Sequence, residues 1–220
     1  VVSCLVTLEL TGITVSFNSA PLEWWLSLPI IVIYPLLFGW VSYQTATKLA
    51  EHKRRLQVMS TRDGMTGVYN RRHWETMLRN EFDNCRRHNR DATLLIIDID
   101  HFKSINDTWG HDVGDEAIVA LTRQLQITLR GSDVIGRFGG DEFAVIMSGT
   151  PAESAITAML RVHEGLNTLR LPNTPQVTLR ISVGVAPLNP QMSHYREWLK
   201  SADLALYKAK KAGRNRTEVA

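Results

Sequence analysis

Two acidic clusters stand out because each sits at the end of a strand-forming run. The first is Thr93-Leu94-Leu95-Ile96-Ile97-Asp98-Ile99-Asp100, an apolar stretch of the kind buried in a central strand, which stops abruptly in carboxylates. Side chains alternate along a strand, so Asp98 and Asp100 share a face. Buried acids need partners, and a divalent cation supplies them, since Mg²⁺ is typically held by one or two carboxylates together with substrate phosphates. The alternative is a carboxylate that caps the following helix, and for Asp100 this is the preferred reading. The second cluster lies in the segment from Val134 to Met147, where two strand-like runs flank Gly139-Gly140. Adjacent glycines between β runs signal a hairpin, because both accept positive φ without a Cβ penalty. Asp141 and Glu142 then project from the tip. If this hairpin lies beside the first strand, Asp98 and Asp141 converge on one metal; otherwise the tip is a polar turn with solvated acids.

These acids need a scaffold, and the sequence from Asp63 onward supplies one. Apolar strand-like runs alternate with amphipathic segments, while Leu171 to Pro175 and Pro187 to Pro190 mark loops. The pattern is mixed α/β, with enough chain for a self-sufficient core. Upstream, composition shifts near residue 45. Leu26 to Tyr43 carries no charge over eighteen residues, the length at which an apolar run becomes a candidate membrane span. Trp24, Trp25, Trp40 and Tyr43 bracket a span at about 24–43, and Lys48, Lys53, Arg54 and Arg55 place its following end on the cytoplasmic side. Val1 to Phe17 reads as the end of a preceding span, so residues 1–44 form a membrane segment. Pro29 and Pro35 favour the alternative, a buried hairpin of a soluble domain. Residues 45–62 read as a polar linker helix, with Leu49, Leu56 and Met59 near heptad spacing, and 63–220 as the soluble domain. The chain opens on Val1 rather than Met, so a longer protein is expected. A net charge of +3 selects no partner, and two cysteines, Cys4 and Cys85, make neither a metal spacing nor a disulfide framework.

Gly139-Gly140-Asp141-Glu142-Phe143 resembles the signature of the GGDEF family of diguanylate cyclases. Further matches follow in the family's order and spacing. Asp63-Gly64-Met65-Thr66-Gly67-Val68-Tyr69-Asn70-Arg71-Arg72 resembles its opening segment, with Met65 where leucine is usual. Asp98-Ile99-Asp100-His101-Phe102-Lys103-Ser104-Ile105-Asn106-Asp107, continuing to Gly110-His111 and Gly114-Asp115, resembles its long first motif. Arg130-Gly131-Ser132-Asp133 stands where the family's inhibitory motif stands, and Ala205 to Asn215 resembles its closing helix. The resemblance covers about Asp63 to Arg216.

This resemblance implies an α+β domain whose central sheet of about five strands is flanked by helices, similar to adenylyl cyclases and polymerase palms; the apolar run upstream adds a transmembrane helix before it. It implies condensation of two GTP into cyclic di-GMP with release of pyrophosphate. Asp98, the Ile99 carbonyl and Asp141 would hold two Mg²⁺ ions per site, or Mn²⁺, with Glu142 near the ions and the reacting 3′-hydroxyl. Lys103 would offset charge on the phosphates, and Lys210 and Arg214 would grip the β and γ groups; without the resemblance these two are a solvated basic helix face. Asn106 and Asp115 would read guanine: a carboxylate accepts from N1–H and the 2-amino group together, whereas adenine would leave it unsatisfied. His111 would touch substrate or pack. Arg130 and Asp133, with Arg161 as a further contact, would bind the product as a feedback inhibitor. A homodimer is implied, because each domain presents one GTP, in a multi-pass protein of the bacterial inner membrane whose catalytic domain faces the cytoplasm. The rival is a catalytically inactive receptor for cyclic di-GMP or GTP. Degenerate receptors usually lose signature acids, and here they are present. Nucleic acid is not an expected partner, since the chain lacks a stripe of interleaved basic and aromatic residues.

Overall fold

The computed structural model describes residues 6–8, 13–15, 33–50, 61–171, 174 and 176–220. These belong to two units that divide between Met59 and Ser60. In the first, β1 (Val6–Leu8) and β2 (Ile13–Val15) pair antiparallel, with Val6 opposite Val15. This differs from the membrane span expected there. The β-branched residues Val6, Thr7, Ile13, Thr14 and Val15 favour extended backbone, and Gly12 falls between the two strands. Residues 33–50 form a helix, α1, which runs without a break across the expected boundary at 44 and 45. Its apolar side chains Tyr34, Leu36, Phe38 and Trp40 are exposed. Among the described residues no helix is long and apolar enough to cross a membrane. Residues 24–32 of the expected span and 51–60 of the expected linker lie outside the described residues. The linker helix does not extend to Arg62, which instead forms a β-bridge with Tyr69.

The second unit is built on a six-stranded sheet rather than about five strands. In chain order its elements are β3 (Tyr69–Asn70), α2 (Arg71–His88), β4 (Ala92–Ile99), α3 (Phe102–Trp109), α4 (His111–Thr128), β5 (Val134–Gly139), β6 (Glu142–Ser148), α5 (Ala152–Thr168), β7 (Ile181–Pro187), α6 (Tyr195–Lys211) and β8 (Thr217–Val219). Across the sheet the order is β3-β5-β6-β4-β7-β8. The four central strands pair antiparallel, and the short edges β3 and β8 pair parallel to β5 and β7.

Because β4 is buried along its whole length, its two faces feed two cores. Leu95, Ile97 and Ile99 join Phe143, Val145 and the inner faces of α4 and α5. Leu94 and Ile96 join Ala144, Ile146 and residues of α2 and α6. Each fully buried side chain of this size contributes about 1.5–3 kcal/mol. Two buried tryptophans keep their indole N–H groups satisfied. Trp74 donates to the Val134 carbonyl at 3.1 Å and Trp198 to the Ala186 carbonyl at 2.8 Å. Cys85 packs in the α2 core, where burial and Glu81 push its thiol up to about 12, which keeps it from forming a thiolate.

Candidate active site

The acids meet at one end of β4. Asp98 lies directly across from Glu142 on β6, so both side chains leave the same face, the one covered by α6. The tip of the β5–β6 hairpin is Gly140-Asp141, with Gly139 paired to Glu142. Gly139 and Gly140 take φ of +142° and +54°, as the glycine pair predicts. The register slips between Arg137 and Gly139, so Phe138 is an extra residue and the tip sits one residue later than Gly139-Gly140. The Asp141 carbonyl accepts the Ile99 N–H at 3.4 Å, and this joins the tip to the end of β4.

Asp98 is only 8% exposed, and its Oδ2 lies 2.7 Å from Lys210 Nζ on α6. Burial pushes its carboxyl above the usual range, Lys210 pulls it back, and the Asp141 and Glu142 charges push upward again. A like-charged cluster of this kind calls for a cation, and Lys210 is a cation already in place. Among the described residues, no three His, Cys, Asp or Glu side chains form a ready-made metal cage. Two carboxylates and a backbone carbonyl nevertheless fit Mg²⁺, a hard cation that keeps several waters and takes its remaining ligands from phosphates.

Asp100, two residues on, does not cap α3. The cap position belongs to His101, which makes no side-chain cap bond. Asp100 instead accepts from Ser182 and from the backbone of Asn215, at 2.6 and 2.8 Å. Neither partner could be read from sequence spacing.

The helical pair α3–α4, joined at Gly110, carries the residues expected to read the base. Asn106 has its Oδ1 buried without a hydrogen-bond partner, facing Gly114 so closely that a Cβ there would lie 1.9 Å from it. Gly114 is therefore small for a packing reason, and the orphaned acceptor favours a donor from a ligand. Asp115 is exposed on α4 and lines a groove of about 500 Å³ with Asp112, Glu116 and Arg123, walled by Leu169 and Leu171. Lys103 and His111 are exposed, on α3 and at the first turn of α4. Arg214 is exposed just beyond α6, with a φ of +60°.

Arg130 and Asp133 come together at a second place, a pocket of about 220 Å³ that Arg62 and Tyr69 also line. Asp133 Oδ2 accepts the Arg130 N–H at 2.9 Å, and its buried Oδ1 has no hydrogen-bond partner. Burial raises its carboxyl against the pull of that bond. Arg161 is exposed on α5 and is not part of this pocket's lining.

Arg137, like His111, lies in the motifs as a candidate substrate contact, but its partners, and the acid Asp203, were not foretold. Arg137 donates to the Gly140 carbonyl at 2.8 Å and pairs with Asp63 at 3.1 Å, lashing the hairpin tip to the opening segment. Burial works against the Asp63 carboxylate, yet the Thr66 hydroxyl and N–H together with Arg137 hold it below the usual range. Asp203 on α6 is raised by partial burial and by Glu142, with Arg71 opposing, so a further acid stands by the hairpin. A helical repeat of seven from Asp203 to Lys210 was the available signal, since it puts both on one face.

A family model described as diguanylate cyclase, GGDEF domain, matches residues 60–216. Diguanylate cyclase DosC of Escherichia coli K12 is 35% identical over 159 residues, 71% of this chain and 34% of that protein. Diguanylate cyclase DgcM of the same organism is 35% identical over 171 residues, covering 76% and 41%. The chain therefore spans less than half the length of these curated relatives. Among solved structures, the GGDEF domain of DgcB from Caulobacter crescentus in complex with c-di-GMP superposes with a TM-score of 0.69 at 29% identity, over 73% of this chain and 95% of that one. Diguanylate cyclase SiaD of Pseudomonas aeruginosa, solved with its activator SiaC, gives 0.69 at 32% identity, over 90% and 78%. The motifs, the six-stranded fold and the family match agree, and the chain belongs to the GGDEF-domain diguanylate cyclase family.

Proposed function

We propose that the protein is a membrane-anchored diguanylate cyclase that joins two GTP molecules into cyclic di-GMP and releases two pyrophosphates. The observation that carries the reading is the end of β4, where Asp98 and Glu142 stand side by side with Lys210 paired to Asp98. Each 3′-hydroxyl loses its proton and bonds to the α-phosphorus of the other GTP as the bond to pyrophosphate breaks. Asp98, Asp141 and the Ile99 carbonyl would hold two Mg²⁺, with Mn²⁺ as a substitute, and when bound these supply charge neutralisation at the attacking and leaving oxygens. Glu142, exposed beside them, draws the proton from the hydroxyl. Lys210 exchanges its carboxylate partner for the phosphates, and Arg214 and Lys103 add positive charge along the triphosphate. Asn106 and Asp115 take the guanine edge, supported by the orphaned Asn106 oxygen.

Two GTP-loaded domains must face each other for attack in trans, so the active form is a homodimer. The orphaned Asp133 oxygen and the pocket around Arg130 support a product-binding inhibitory site. Exposed apolar side chains on α1, followed by Lys48, Lys53, Arg54 and Arg55, support anchoring in the bacterial inner membrane with the catalytic domain in the cytoplasm.

The test is turnover by the purified full chain with Mg²⁺ and GTP, following pyrophosphate and separating nucleotides by chromatography. Cyclic di-GMP from GTP, none from ATP, and loss with a chelator are expected. Cyclic di-GMP or GTP binding without pyrophosphate release would establish the receptor reading instead.

A further inference from the structure

Asp100 lies two residues beyond Asp98 and is 6% exposed, yet both of its oxygens are turned to other partners. Oδ1 accepts the Ser182 hydroxyl of β7 at 2.6 Å, and Oδ2 accepts the backbone N–H of Asn215 at 2.8 Å. The second bond falls on an unusual stretch of chain. Gly213, Arg214 and Asn215 follow α6 with φ of +110°, +60° and +47°. A helix normally ends on one left-handed residue, most often glycine. Gly213 fills that role here, with the Arg214 N–H returning to the Ala209 carbonyl at 3.0 Å. The left-handed run then continues through two residues that bear a Cβ, which disfavours it unless surrounding contacts hold it.

Those contacts are visible on both sides of the turn. After it, the Arg216 carbonyl accepts the Val183 N–H at 2.9 Å and β8 pairs with β7. Within it, the Asn215 N–H has the Asp100 carboxylate. His163 of α5 braces the same region through Thr217 Oγ1 at 3.2 Å. A charged acceptor on a backbone N–H is among the stronger hydrogen bonds, and in a buried site its loss leaves the donor unsatisfied.

We infer that Asp100 is a positioning residue which, through the Asn215 N–H, holds the left-handed turn that aims Arg214 at the substrate's terminal phosphates. Neighbouring acids of one motif then have separate tasks, Asp98 at the cation end of the site and Asp100 at the far end of the triphosphate. The inference rests on the reading of Arg214 as a phosphate contact.

Binding is measured on the full chain with Mg²⁺, using α,β-methylene-GTP, which cannot react, and GMP, which lacks the terminal phosphates. Asp100→Ala is expected to weaken the triphosphate about tenfold, which is about 1.4 kcal/mol, and GMP by less than about twofold. Asp100→Asn, whose Oδ1 can still accept from Asn215 while its amide faces the Ser182 oxygen, should stay within about threefold of the parent. Asp100→Ser, too short to reach Asn215, is measured alongside with melting temperature as the control for folding, in case alanine unfolds the chain. Arg214→Ala should show the same triphosphate-selective loss, and the double variant no further loss. Equal losses for GMP and triphosphate in both Asp100→Ala and Asp100→Ser, or additive losses in the double variant, would overturn the inference. If Arg214→Ala loses nothing toward the triphosphate, the phosphate reading of Arg214 fails and the inference falls with it. If Arg214→Ala loses affinity and the Asp100 variants do not, the inference alone is refuted.

Discussion

Gly184 on β7 faces α6 so closely that a Cβ on it would lie 2.2 Å from both the Ala202 carbonyl oxygen and the Leu206 backbone nitrogen. Neither atom can rotate aside, because both belong to the helix backbone. Relieving that overlap in Gly184→Ala requires α6 to lift from the sheet by about 1 Å. Lys210 lies one helical turn beyond Leu206, so its 2.7 Å contact with Asp98 would lengthen past hydrogen-bonding range. Overpacking costs about 1–3 kcal/mol, and two backbone contacts put this case at the upper end. At about 2–4 °C per kcal/mol for a domain of this size, the melting temperature should fall by about 6–12 °C. Turnover, measured where the variant is still fully folded, should fall at least about tenfold, since a small misplacement of a charged group is costly in such a site. Thermal melts followed by circular dichroism and initial rates of pyrophosphate release read the two effects separately. Gly131→Ala, where a Cβ meets open space, serves as the control for stability. A Gly184→Ala protein with parental melting temperature and rate would refute the argument that close strand–helix approach sets the position of Lys210.

Asp141→Ala should abolish turnover while leaving the melting temperature within about 1 °C, because the side chain is at a partly exposed hairpin tip; normal rates would remove it from the metal site. Arg130→Ala should leave the initial rate unchanged and weaken inhibition by added cyclic di-GMP by about tenfold, whereas an unaltered inhibition curve would show that the Arg130–Asp133 pocket is not regulatory. Burial holds His163 below the usual histidine value, against Asp100 and Asn215, which favour its charged form. The unfolded chain then binds the proton first as pH falls, so this stabilisation is full above about pH 6.5 and declines as pH drops through it. The melting temperature should therefore fall more steeply on acidification in the parent than in His163→Gln; identical slopes would contradict the assignment.

The central strands were legible because their signals are local. An uninterrupted apolar run ending in Asp98 can be little else than a buried strand, and paired glycines between β runs mark a turn even when a bulge at Phe138 moves its tip by a residue. The edges β3 and β8 were not legible. With two and three residues, and with Asn70, Thr217 and Glu218 among them, they carry too few alternations to register as periodic and exist because neighbouring strands offer backbone partners. Residues 6–8 and 13–15 differ from the helical reading for another reason: hydropathy measures an apolar run but not its backbone, and β-branched residues in these two segments favour extended chain. In the site, residue types marked Asp98 and the Asp141-Glu142 hairpin, which the sheet does set side by side, but not Asp203. They did not foretell the supports, since Asp100 meets Ser182 and Asn215 across 82 and 115 positions, and Arg137 meets Asp63 across 74. Contacts that long leave no imprint on spacing.

The guanidinium of Arg137 has an entropic consequence. By bonding the Gly140 carbonyl and the Asp63 carboxylate at once, it removes the independent motion of two surface turns, one of which carries two consecutive glycines with positive φ. A glycine turn at a strand tip ordinarily fluctuates, and stilling it on contact with a ligand would subtract from affinity. Here the Arg137 bonds form when the chain folds, so the ordering cost of the Gly140-Asp141 tip falls on folding rather than on any later contact made there.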